Sequence, residues 1–85
     1  MLEILWDLDD DAEGNVQHCA RHDVTPEEIE YVLDHFLQNT VVSESSQRWV
    51  TFGHTITGRY LAVVWEEIEP SVAYPITAYD APEPS

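Results

Sequence analysis

The chain contains no lysine. Three arginines, Arg21, Arg48 and Arg59, stand against seventeen acidic residues, and the formal net charge is −14. A field of that sign repels nucleic acid and anionic membranes over long range. The composition therefore disfavours both as partners and favours a basic protein. Most of the acids are expected to form a solvated surface. A single cysteine, Cys19, excludes an intrachain disulfide and reads as a small apolar residue in a reducing compartment. No apolar run is long enough to span a bilayer, and no signal peptide or lipidation motif is visible. The expected location is the cytoplasm, away from the membrane. HExxH, a Ser-His-Asp pattern, a phosphate-binding glycine loop and a dinucleotide fingerprint are all missing, so no cofactor is implied.

What is present suits one small domain. The chain has 85 residues, and its three tryptophans are enough to seed a core. Residues 1–79 are expected to form a single α+β domain. Residues 80–85, which end in APEPS, are expected to be a disordered tail. Leu2 to Trp6 reads as a short strand. Asp7 to Asp11 is acidic and suits the start of a helix. That first helix is expected to reach about His22, with Ala12, Val16, Cys19 and Ala20 as a narrow apolar stripe; Gly14 weakens it.

The second helix has the clearest signal. In VTPEEIEYVLDHFLQN, Thr25 is the N-cap, Pro26 takes the first helical position and Glu28 completes a capping box. Val24 and Ile29 are spaced for a hydrophobic staple. Ile29, Val32, Leu33, Phe36 and Leu37 form the expected buried face, with Asn39 as C-cap. Thr40 to Ser43 is short and β-branched. Gln47 to His54, Arg59 to Glu67 and Ser71 to Tyr79 read as longer strands, separated by GHTITG and EIEP. The fold class is α+β: a short N-terminal strand, then two helices packed on one face of a mainly antiparallel sheet.

The stretch NVQHCARH, Asn15 to His22, concentrates unusual residues. On a helix, His18 and His22 share a face, with Asp11 along the same strip. Such a pair can chelate a transition metal, with Asp11 as a third ligand, but no thiolate partner is spaced for zinc. The favoured reading is two half-buried histidines at a helix boundary. A nucleophilic Cys19 is disfavoured, because desolvation raises a thiol pKa. On strand period, Arg48 and His54 share a face of their strand, and Arg59 begins the next. A turn at GHTITG would bring His54 and Arg59 into a small basic binding spot. The competing reading pairs each arginine with a nearby carboxylate.

Several short motifs follow one another in a familiar order. They are Trp6-Asp7, Arg21-His22-Asp23-Val24, Glu27-Glu28, Arg48-Trp49 before Gly53, Gly58-Arg59-Tyr60-Leu61 before Val63-Val64, and Ile76-Thr77-Ala78-Tyr79-Asp80. The layout resembles the BrnT-type toxins of bacterial toxin–antitoxin pairs, which have a RelE-like ribonuclease fold. The corresponding family motifs are W-D, K-H-G-V, E-E, R-F-x-x-x-G, G-R-x-L-x-V-V and an I-S-A-R-K-like end. The resemblance implies a metal-independent endoribonuclease with an antitoxin-like partner, and it points to His22, Arg48, Arg59 and Tyr79 as candidate catalytic residues.

The departures fall on the cations. Tyr79 stands where the family has arginine, Asp80 where it has the next basic residue, and proline-rich APEPS where a helix follows. RNA cleavage of this kind needs positive groups to hold phosphates and stabilise the transition state. The expectation is a BrnT-like domain with a degenerate or lost nuclease, serving as a protein-binding module. An active RNA-cleaving toxin and a small metal-binding protein are the alternatives. A homo-oligomer is compatible with the sequence.

Overall fold

Alternation along the strands after Thr40 sorts their side chains onto two faces, and the helices cover one of them. The computed structural model describes residues 2–43 and 48–83. These residues form β1 (Glu3–Ile4), α1 (Asn15–Ala20), α2 (Pro26–His35), a 3-10 turn (Leu37–Asn39), β2 (Thr40–Val42), β3 (Trp49–His54), β4 (Tyr60–Glu69) and β5 (Val72–Asp80). The sheet order is β1-β5-β4-β3-β2. β1 runs parallel to β5, and the other pairings are antiparallel. The architecture is the α+β arrangement expected. Among the described residues no helix is long and apolar enough to cross a membrane.

The core lies between the helices and the sheet. Cys19 of α1, Val24, and Ile29, Val32 and Leu33 of α2 pack over Leu61, Val63 and Trp65 of β4 and Ala73 and Ala78 of β5. Trp65 donates its indole N–H to the Thr51 hydroxyl, which shares a 2.6 Å hydrogen bond with Thr40. A chain of polar groups is thereby satisfied at the buried edge of the core. Gly53 sits in β3 where the Phe36 ring closes on the sheet. A Cβ there would lie 2.5 Å from that ring, so only glycine permits the approach.

α2 begins as its sequence requires. The Thr25 side chain accepts from the Glu28 backbone N–H, and the Glu28 carboxylate accepts from Thr25 N–H. Val24 and Ile29 are both buried beside this cap. The helix stops at His35, however. Phe36 is its cap, Leu37 is exposed, and Asn39 ends the 3-10 turn rather than capping α2.

α1 is shorter than the sequence suggests. It starts at Asn15, after a turn and the extended backbone of Gly14. Ala12 and Ala20 are exposed, so the apolar stripe reduces to Val16 and Cys19. At the other end the chain leaves α1 through a Schellman motif. Val24 N–H bonds to Cys19 O, Asp23 N–H bonds to Ala20 O, and Asp23 takes a left-handed φ of 61°. The last two strands also end later than expected. β4 includes Ile68 and Glu69, and β5 includes Asp80. Ala81 N–H still bonds to Tyr60 O, and Glu83 reaches His54. Pro84 and Ser85, the rest of the expected tail, lie outside the described residues, as does Gln47 at the expected start of β3.

Candidate functional site

The candidate residues do not form one cluster. At the C-terminal end of α1, the His22 ring lies 6.2 Å from that of His18 and 6.4 Å from that of Tyr79, centroid to centroid. Arg59, on the last turn before β4, reaches the same spot and donates to the His22 carbonyl at 3.1 Å. His22 therefore lies near both the Tyr79 ring and the Arg59 guanidinium. Arg48 does not join them. It lies ahead of β3 and pairs with Glu66 at 3.1 Å.

Arg59 is held from every side. Its Nε and Nη2 grip Asp80 in a two-pronged bond of 2.6 and 3.0 Å. Nη2 also donates to His22 O, while Nη1 donates to Asp23 O and, at 3.4 Å, to both oxygens of Glu28. A guanidinium has five N–H donors in a fixed fork, and these partners engage all three of its nitrogens. The planar fork suits a carboxylate and a phosphate equally well. Asp80 takes the position on the fork that a phosphate would need. The pairing holds the Asp80 carboxyl below its ordinary value and pushes the Arg59 guanidinium further up.

His54 lies elsewhere. Its Cα partner across the hairpin is Tyr60, its ring packs 4.7 Å from the Tyr60 ring, and its Nε2 meets Glu83. Arg59 turns toward Asp23 and Glu28 on the helical side. The expected basic spot of His54 and Arg59 therefore does not form. One residue of strand alternation separates Tyr60 from Arg59, and it sends the His54 and Arg59 side chains to opposite faces of the sheet.

The same geometry bears on the metal candidates. Asp11 bonds to the Glu13 backbone N–H and lies against Gly14, at the other end of α1 from His22. Among the described residues no set of three or more His, Cys, Asp or Glu side chains is grouped to hold a metal ion. Cys19 is buried, and desolvation pushes its thiol up to about 11. That keeps it protonated and unreactive near neutral pH.

Asn15 has a role that helical periodicity cannot reveal. It is buried, and its Oδ1 accepts from Asp7 N–H while Asp7 accepts from Asn15 N–H, each at 2.9 Å. Its amide also donates to Leu5 O and Pro75 O. One side chain thus joins the end of β1, the start of α1 and the middle of β5. The Tyr74 hydroxyl donates to the same Asp7 carboxylate, lowering Asp7 and raising Tyr74 to about 12. The only advance signal was an asparagine after a glycine in an acidic segment. Comparison with protein-family models, curated proteins and solved structures gives no match.

Proposed function

We propose that this chain is a BrnT-like domain whose ribonuclease site is degenerate or lost, and that it acts in the cytoplasm by binding a basic protein, such as an antitoxin-like one. The observation that carries this reading is the state of Arg59. Arg59, which reaches His22 from across the fold, is fully engaged by Asp80, Glu28 and two backbone carbonyls. Transition-state stabilisation in phosphate chemistry depends on donors aimed at the developing charge, and this fork is already directed at the chain's own carboxylates.

Two further features support it. Asp23 adopts a left-handed backbone at the position where the resembled K-H-G-V motif carries glycine, which is what a residue in that place must do. The net charge of −14 attracts basic proteins and repels RNA.

The active-toxin reading has one observation in its favour, the approach of His22 and Tyr79 to each other. The two readings part cleanly in a cleavage assay. Purified chain incubated with mRNA, with and without ribosomes, should leave the RNA intact, and expression of the chain alone should leave growth normal. Cleavage that disappears in Arg59→Ala or Tyr79→Ala would overturn the proposal.

A further inference from the structure

The helices leave part of their own side of the sheet uncovered. Where the 3-10 turn faces β3, Leu37 is 40% exposed and Trp49 is 38% exposed. With Leu2, Thr40, Trp65 and Glu67 they line a cavity of about 310 Å³. Trp49 and Trp65 stack there, ring centroids 5.9 Å apart. Two more hollows share Leu2 with this one and continue along α2. One, of about 340 Å³, passes Leu33, Asp34 and Leu37; the other, of about 220 Å³, passes Ile4, Glu30 and Asp34. Together they trace a groove that is apolar along Leu2, Leu37, Trp49 and Trp65 and turns polar at its Glu30 and Asp34 end, with Glu67 on the opposite rim. Among the described residues no arginine lines it, and His35 is the one basic side chain on its wall.

An exposed apolar floor inside a polar rim is the usual anatomy of a docking site. The rim selects the occupant. A second copy of this chain would bring the same acidic rim and another −14 charges, and like charges brought together are costly. The geometry points to a short segment of a basic protein, with leucine- or isoleucine-sized side chains seated against Leu2, Leu37 and Trp49 and flanking lysines or arginines over Glu30, Asp34 and Glu67. The aliphatic stems of those cations lie along apolar surface while their charged ends meet the carboxylates. This assignment rests on the reading of the chain as a binder of basic proteins, and it gives that reading a location.

The test uses the whole chain and a capped amphipathic Lys-Leu-Leu-Lys-Lys-Leu-Leu-Lys peptide, followed through the NMR signals of the Trp49 and Trp65 indole N–H groups. At low salt the peptide should shift both indoles saturably. A peptide with serine in place of leucine should not. Leu37→Asp should abolish the shifts and Glu67→Lys should weaken binding several-fold, while Val41→Asp, on the uncovered face at the β2 edge, should change nothing. Leu37, Glu67 and Val41 are all exposed, and an unchanged far-UV spectrum confirms that each variant folds. Full-strength binding in both Leu37→Asp and Glu67→Lys, or equal binding of the serine peptide, would overturn the groove assignment and leave the basic-protein reading standing. No saturable binding of the leucine peptide at low salt, by these indoles or by calorimetry, would overturn both.

Discussion

Asn15 spends its whole side chain on backbone groups of other elements: Asp7, Leu5 and Pro75. Alanine there would remove the side-chain partner of a part-buried N–H, a part-buried carbonyl and the buried carbonyl of Pro75. Asn15→Ala should destabilise the protein by roughly 3 kcal/mol, read from the urea midpoint, because each buried unpaired group carries its full desolvation cost. A loss no larger than that of an exposed asparagine would refute the clamp. The neighbouring Asp7–Tyr74 pair sets a pH dependence with a defined sign. Asp7 and Asp80 titrate below their ordinary 3.8 in the fold. Their contribution is therefore complete above that value and lost as pH falls through the folded value. Tyr74 is raised from 10.0 to about 12, so its contribution is complete below pH 10 and lost as pH rises toward 12. Urea midpoints measured across pH should fall on both limbs. Tyr74→Phe should flatten the alkaline limb, and Asp80→Asn should flatten the acid limb.

At the scale of elements, α2 was legible and α1 was not, for different physical reasons. Thr25, Pro26 and Glu28 are a local code, and the cap they form depends on residues three apart. The start of α1 is set by Asn15 and Asp7 across eight residues and by Pro75 across sixty, and no window of periodicity sees that. The exit from α1 was partly visible, since Val24 was spaced to staple against Ile29, but the Schellman turn places Asp23 in a conformation that disfavours a side chain. Asp23→Gly should raise stability by about 0.5–1 kcal/mol, since glycine takes a left-handed φ without the steric cost. Arg59 would keep its bond there, because it uses the Asp23 carbonyl. A fall in the urea midpoint would contradict this account of the turn. The candidate site was half legible. His22 lies near Tyr79 and Arg59, but the separation of His54 from Arg59 turned on a single residue of strand phase, and the five-donor saturation of Arg59 needs the side chains of Asp80 and Glu28 in place.

For the molecule as a whole, charge is the organising fact. Seventeen acids and three arginines make the native state repel itself, and two of the arginines, Arg48 and Arg59, are committed to carboxylates. Added salt screens that repulsion, so the melting temperature should rise with sodium chloride while attraction to a basic partner weakens. A melting temperature that falls with salt would mean that the ion pairs outweigh the repulsion. The central claim is narrower: Arg59 has no donor left for a phosphate. It is tested most directly by following the Arg59 Nε–H resonance while inorganic phosphate, and then a short RNA oligonucleotide, is titrated into the protein. The account predicts a signal that stays in place for the native chain and begins to move in Asp80→Asn, where the fork is released. A saturable shift of that resonance in the native chain would contradict it.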